Sequence, residues 1–453
     1  MGTSMATSII LAVDDVARDG AASGFVATLS RAILSLVVLC ALAWCLSSHR
    51  RRFPWRVVLG GLGLQVGLAL LLLKVPATSA VFEFFAGQVA VAIGMAEAGS
   101  VFLFGSLADL DGPAGFVFAF RVLPVIVYFA AVMAVLYHLG VMQRVIAGMA
   151  WVMRRTLGVS GAEAVTVAAN VLVGQTEAPL CVKPLLPRLT RSQLMVVMAS
   201  GFATIAGSVF AGYIEFLGGD DELRRTLFAK HLMTASLMSA PAAFVMAKII
   251  LPETEEEPAE TRPNEVAVER PAANAIDAVV LGASDGLRLA LNVGAMLIAF
   301  IAILALLDWP IELLGDWRPI AEWRSGHGYG AWSIQGGLGL LFRPMAWLIG
   351  APSADVDAIG RLLATSVVAT EFVAYLDLSA LIEANAISER GTIVVAYALC
   401  GFANIPSLAI QVGGLSAIAP TRRAEISAIA PRALAAGILA CWSTATVAGA
   451  FIS

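Results

Sequence analysis

Apolar runs of bilayer length follow one another along this chain, separated by short polar punctuation. A membrane-crossing helix needs ~20 mostly apolar residues. Seven stretches have that pattern: 32–47, 57–73, 115–137, 194–218, 232–251, 289–307 and 433–452. An eighth, 392–411, is apolar but broken by Asn404, Pro406 and Gln411. Two further stretches are apolar yet too interrupted for simple spans: 157–186, with Gly174, Glu177 and Pro179, and 334–378, with Gly350, Pro352 and Glu371. Non-helical backbone is tolerated at membrane depth only where it packs in protein or lines a cavity, so both are expected to be re-entrant hairpins. The segment 81–107 is expected to be an amphipathic helix along the bundle or the interface. The fold class is therefore an all-α polytopic membrane protein with eight transmembrane helices and two hairpins.

The polar punctuation repeats. Met149-Ala150-Trp151, Thr176-Glu177 and Gly201-Phe202-Ala203-Thr204-Ile205 recur as Met345-Ala346-Trp347, Thr370-Glu371 and Gly401-Phe402-Ala403-Asn404-Ile405. Met to Glu is 28 residues in the first copy and 26 in the second, and Glu to Gly 24 and 30. Three landmarks in one order point to an internal repeat, and doubled, interrupted apolar segments mark the binding site of transporters. Basic residues set orientation. His49-Arg50-Arg51-Arg52 and Arg56 are expected on the cytoplasmic side, with Arg154, Arg155, Arg188, Arg191, Arg422 and Arg423. The two copies then start at opposite faces, giving an inverted repeat.

Composition agrees. Of 453 residues, 59% are hydrophobic and only 14% charged, with mean hydropathy +0.84; soluble domains carry about a quarter charged residues. The net charge of −4 argues for no nucleic acid or other strongly charged partner. The five cysteines and four histidines lack metal-ligand or disulfide spacing. Residues 1–24 lack a basic region followed by a small-residue cleavage site, so a cleaved signal peptide is not expected. The stretch 252–271, with seven glutamates, Glu253, Glu255, Glu256, Glu257 and Glu260 among them, and four prolines, has the composition of a solvated linker. Trp323, Trp332 and Trp347 suit an interfacial aromatic belt, and Asp220-Asp221-Glu222 with Arg224 and Arg225 reads as a solvated loop. No phosphate loop, nucleophile elbow or zinc motif is written, so neither an enzyme nor an ATP-driven pump is expected.

Candidate chemistry collects at the interruptions. In Gly174-Gln175-Thr176-Glu177, glycine and the following Pro179 break the helix and free backbone groups. Glu177 could accept from a ligand N–H or O–H, and Gln175 both donates and accepts; the plainer role is a carboxylate capping a broken helix. Glu371 could accept two adjacent hydroxyls of a sugar, carry a proton, or pair with a buried Arg121 or Arg343. Thr204 sits where a helix could unwind, and its hydroxyl with nearby carbonyls suits Na+, although a membrane Thr more often bonds its own helix. Asn404 and Ser407, three apart, share a helix face and could address a polar ligand. Phe402 could offer it a ring face or simply be core.

These motifs strongly resemble those of the concentrative nucleoside transporter family. The matching text is Gly174-Gln-Thr-Glu-Ala-Pro-Leu180, Gly201-Phe-Ala-Thr-Ile-Ala-Gly-Ser-Val209, Glu371-Phe-Val-Ala-Tyr375, Tyr397-Ala-Leu-Cys-Gly-Phe-Ala-Asn404 and Gln411-Val-Gly-Gly-Leu415, with Ala419-Pro420 and Arg422-Arg423. The resemblance implies that Gln175, Thr176 and Glu177 address the nucleobase with Val209 packing on it. It implies that Glu371, Asn404 and Ser407 bind the ribose beside Phe402, and that sodium lies near Asn170, Val173, Thr204 and Ile205. It further implies a homotrimer with scaffold (1–142 and 272–310) and transport (143–251 and 311–453) domains, joined by the linker 252–271. The sequence departs from the family at Thr370, usually Asn; at Ser366, usually Lys; at Pro406, where Ser is expected; and at Arg343, in a normally apolar arm.

The expected function is a cation-coupled nucleoside symporter of the bacterial inner membrane, with no cofactor and sodium as the coupling ion. Proton coupling, or a membrane protein that binds nucleoside without moving it, are the alternatives. A charge descending 100 mV supplies about 2.3 kcal/mol and a tenfold ion gradient roughly 1.4 kcal/mol. Together these support several-hundred-fold accumulation.

Overall fold

The computed structural model describes residues 26–108, 117–219, 221–255, 272–319, 321–322 and 333–452. All regular secondary structure among them is helical. In the first half, α1 is Val26–Cys45, α2 Trp55–Leu73, α3 Pro76–Phe104, α4 Phe118–His138, α5 Val141–Leu157 and α6 Gly161–Asn170. These are followed by α7 Arg191–Ala203, α8 Gly207–Gly218 and α9 Glu222–Ile250. The second half contains α10 Ala275–Gly315, α11 Ile334–Leu348, α12 Val356–Val368, α13 Glu371–Glu383, α14 Glu389–Leu399, α15 Ile405–Ile418 and α16 Arg423–Phe451.

Eight of the described spans are long and apolar enough to cross a membrane, but their membership differs from the expected set. Pro76–Leu107 is among them. It is not amphipathic: a narrow stripe of Ala86, Ala90, Ile93, Ala96 and Ser100 is buried, while Val81, Phe84, Phe85, Met95 and Phe102 on the other sides are exposed and equally apolar. The expected span 392–411 is instead two short helices, α14 and α15, separated at Cys400–Asn404. Asn404 starts the second one by capping it, and Pro406 falls in that first turn, where no intrahelical N–H is needed. The expected linker is undescribed beyond residue 255, and Asp220, Trp323 and Trp332 also lie outside the described residues.

The helices sort into two environments. Helices α7, α8, α9, α14 and the later part of α16 are buried on nearly every side. Helices α2, α3 and α10 bury one stripe each and expose apolar residues elsewhere, as lipid-facing helices do, while α4 is buried on one stripe and half-buried around most of the rest. In α10 the buried stripe includes Ala278, Gly282, Gly286 and Ala290. A Cβ on Gly282 would come 2.7 Å from the Ala130 carbonyl oxygen, and one on Gly286 2.8 Å from the Val127 Cα. Small residues thus let the α10 and α4 backbones touch, the usual source of affinity between helices in lipid.

The sequence repeat is a structural repeat. Each copy begins on a helix carrying Met-Ala-Trp (α5, α11), passes a Thr-Glu at a chain break, and reaches a helix broken at the Gly-Phe-Ala pentad (α7/α8, α14/α15). Each ends in a 29-residue helix, α9 or α16. The copies differ after the first Thr-Glu, where residues 178–188 form only 3₁₀ turns, Ala178–Val182 and Leu186–Arg188. Pro179, Pro184 and Pro187 remove the donors an α-helix would need there. In the second copy α11 and α12 fold back closely: a Cβ on Gly360 would sit 2.7 Å from the Gly339 carbonyl oxygen.

Candidate functional site

The first Thr-Glu lies in a tight turn. Glu177 N–H and Ala178 N–H both donate to the Gly174 carbonyl (3.1 and 3.0 Å), and the Glu177 carboxylate folds back to accept Gly174 N–H at 2.7 Å. A side chain at position 174 would strike that carboxylate, since its Cβ would lie 2.6 Å from Glu177 Oε2. Glycine thus leaves room for the carboxylate to fold back. Glu177 does cap the break, but it also stays exposed at the turn, so it remains open to a ligand. Gln175 beside it is buried, and its Oε1 has no protein partner.

The second glutamate is held differently. Glu371 is the first residue of α13, where helix N–H groups favour a carboxylate. It is 3% exposed, accepts from the Tyr213 hydroxyl at 2.8 Å and also accepts from Asn404 Nδ2. Neither expected arginine reaches it. Arg121 pairs with Glu215 at 3.0 Å and Arg343 with Asp357 at 2.6 Å. A buried carboxylate surrounded by neutral donors can exchange one of them for a ligand hydroxyl without separating an ion pair.

Asn404 links this carboxylate to α15. Its Oδ1 accepts Ser407 N–H at 2.7 Å as the helix N-cap, while its Nδ2 donates to Glu371. Asn404 and Ser407 are therefore brought together as cap and first turn, rather than as two residues on one face of a continuous helix. Phe402 lies two residues before the cap and packs partly buried against the core. Val209 is buried in the first turn of α8, one turn before Tyr213 and on its face.

The two pentad breaks meet. Phe402 N–H donates to the Thr204 carbonyl oxygen at 3.2 Å. A Cβ on Gly401 would lie 2.7 Å from the Phe202 carbonyl oxygen. Thr204 is the C-cap of α7 in extended conformation, and its hydroxyl donates to the Ser200 carbonyl at 2.8 Å. Asn170, the last residue of α6, donates Nδ2–H to Ser200 Oγ at 2.8 Å, and its buried Oδ1 has no protein partner. Ser200 thus gathers Asn170 and Thr204 on one helix end. Ile205 is buried in the same break, and Val173, half-buried, follows Asn170 on the way to the turn.

The residues that depart from the family pattern are locally accommodated. Thr370 caps α13 by accepting Val373 N–H at 3.3 Å, and Ser366 donates to the Leu363 carbonyl at 2.9 Å. Two neighbours of the site escaped the sequence reading. Tyr213 could have been found from its one-turn offset from Val209. Gln411 was visible as a break in an apolar run and as the start of a family motif, without a role, yet it is 1% exposed and donates Nε2–H to the Met198 carbonyl at 2.9 Å. The reading of Arg225 as a loop residue is also corrected: it is buried and pairs with Glu215 at 3.1 Å, whereas Asp221 nearby caps α9.

Known proteins share this arrangement. The chain matches the models for the Na+ dependent nucleoside transporter N-terminus at residues 34–107 and C-terminus at residues 231–449, with the nucleoside recognition "Gate" model between them at 119–220. It is 40% identical over 424 residues to an uncharacterized transporter of Haemophilus influenzae, covering 93% of this chain and 97% of that one. It is 38% identical to sodium/nucleoside cotransporter 1 of the mouse, covering 91% of this chain but 62% of that longer protein. Its fold superposes on CNTnw in an inward-facing substrate-bound state with TM-score 0.83 and 38% identity, covering 93% of this chain and 99% of that one. Likeness of this extent, end to end in fold and motif, settles the relationship: the chain belongs to the Na+ dependent nucleoside transporter family.

Proposed function

We propose that this protein imports nucleosides together with sodium across the bacterial inner membrane by alternating access. The observation that carries the reading is the Glu371 cluster: a buried carboxylate held by Tyr213 and Asn404 at the start of α13, beside two helix breaks. A carboxylate with no cationic partner suits a ribose diol, whose two hydroxyls donate to its oxygens. Ser407 extends that sugar side, and Phe402 flanks it. Gln175, Thr176, Glu177 and Val209 form the base side.

The coupling ion fits the Asn170–Thr204 corner. Na+ takes neutral and carbonyl oxygens readily, and Asn170 Oδ1 is a buried acceptor without a protein partner. Backbone oxygens at Val173 and Ile205 complete the proposed set. The Phe402–Thr204 bond joins this corner to the sugar side, so an ion that orders one break orders the other. In the proposed division, 143–251 and 311–453 carry both sites past a scaffold formed by 1–142 and 272–310, and three copies assemble through the scaffold.

Uptake of radiolabelled uridine and adenosine into proteoliposomes tests the reading. Accumulation driven by an inward sodium gradient at fixed pH supports it. Accumulation that survives sodium removal and collapses with a protonophore replaces sodium by protons. Saturable binding without counterflow would mean a protein that holds nucleoside and does not move it.

A further inference from the structure

Gln411 lies in the middle of α15, among the most buried polar residues of the protein, at 1% exposure. Its Nε2–H donates to the Met198 carbonyl at 2.9 Å, which fixes the nitrogen end of the carboxamide. The oxygen end must then face away from that carbonyl, and Gln411 Oε1 is buried with no partner in the protein. Native proteins rarely leave such an acceptor unused unless something else fills it.

Its neighbours say what. Gln411 and Gln175 flank Gly201 on α7: a Cβ there would collide with Gln411 Nε2 and lie 2.8 Å from Gln175 Cβ. One turn further along α15, a Cβ on Gly414 would lie 3.0 Å from the Thr176 methyl. The turn carrying Gln175 and Thr176 therefore docks along the face of α15 that presents Gln411. Gln175 Oε1 is also buried and unpartnered. Two side chains with unpartnered carboxamide oxygens thus meet at Gly201, one from α15 and one from the turn after α6, and the oxygen on α15 is fixed as an acceptor.

We propose that Gln411 is a further specificity-determining residue, whose Oε1 accepts an N–H from the nucleobase beside Gln175; this rests on the nucleoside-transport reading above. A fixed acceptor favours bases with a donor on the Watson–Crick edge, an exocyclic amine or a ring N–H. It disfavours a base that offers only acceptors there, because the oxygen is then left buried and unpaired.

The test compares cytidine with the ribonucleoside of pyrimidin-2-one, which keeps the ring and ribose but has no N–H on its base. In proteoliposomes the wild type should take up cytidine with a KM about tenfold below that of the analogue. Gln411→Met, of similar volume, should raise the cytidine KM and leave that of the analogue in place, bringing the ratio near one. Gln411→Glu as the neutral acid donates its O–H to the Met198 carbonyl, keeps a carbonyl acceptor and should keep discrimination, which serves as the decisive variant if Gln411→Met does not elute as folded protein. An unchanged ratio in Gln411→Met, loss of discrimination in Gln411→Glu, or no discrimination by an active wild type overturns the proposal alone. A wild type that takes up no nucleoside overturns the transport reading, and the proposal with it.

Discussion

Phe402 gives its backbone N–H to the carbonyl oxygen of Thr204, 3.2 Å away, and so ties the break in α14/α15 to the break in α7/α8. Thr204 is the fourth residue of one copy of the repeated pentad and Phe402 the second residue of the other. The repeat thus closes on itself at the centre of the protein, where each copy gives up helical hydrogen bonds. Groups freed by one break are used by the other, as membrane-buried backbone requires.

Substituting Thr204 should act on the ion. Thr204→Val removes the hydroxyl but keeps shape and the carbonyl that holds Phe402. The sodium concentration for half-maximal uptake is expected to rise about tenfold, as for one lost oxygen ligand. Uptake at saturating sodium should stay within about twofold. Sodium titration of nucleoside uptake checks both.

Removing the Tyr213 hydroxyl should cost less than altering Glu371 itself. Tyr213→Phe removes one donor to a carboxylate that is otherwise kept, and a nucleoside KM about three- to tenfold higher is expected. Glu371→Gln keeps one acceptor for Asn404 but loses the second acceptor and the charge that would take the ribose hydroxyls, and uptake should fall below detection. Competition of labelled uridine by 2′,3′-dideoxyuridine should be weaker than by uridine in wild type, and the contrast should persist in Tyr213→Phe, which keeps the carboxylate.

Two glycines make opposite predictions. A side chain at Gly174 meets the mobile end of Glu177, so Gly174→Ala should fold normally and raise KM. A side chain at Gly401 would lie 2.7 Å from the Phe202 carbonyl oxygen and 3.0 Å from the Ala203 carbonyl carbon, backbone that cannot step aside. Gly401→Ala should lower the thermal midpoint measured by size-exclusion after heating, whatever its transport rate.

Glu215 gathers charge from separate helices, accepting from Arg121 on α4 and Arg225 on α9. All three are buried. Neutralising the shared carboxylate by Glu215→Gln removes the ion-pair partner that Arg121 and Arg225 have in common, with Glu97 still 3.8 Å from Arg121; loss of one member of a buried pair costs about 3–5 kcal/mol. The folded yield in detergent should drop sharply, and Glu215→Asp should recover part of it.

Much of this architecture was legible in the residues, because lipid imposes a simple grammar. Apolar length marked most spans, and glycine, proline and an unpaired glutamate marked where helices stop. The pattern failed where it depended on partners. The segment 81–107, expected to be amphipathic, instead buries only a narrow stripe and exposes apolar residues around it. Arg225 looked like loop chemistry because Glu215, its partner, is ten residues away across a helix end. At the site, Glu177, Glu371 and Asn404 announced themselves as polar groups in apolar text. Tyr213 and Gln411 did not, since a tyrosine or glutamine in a membrane helix gains meaning only from what the fold sets against it.

The central claim is that nucleoside and sodium cross together through the joined breaks, and substrate-evoked current tests it most directly. Uridine or adenosine added to reconstituted membranes should evoke an inward current in sodium, none when choline replaces sodium at the same pH, and none in Glu371→Gln. A current of equal size in choline, or nucleoside uptake in sodium with no current at all, would contradict the account.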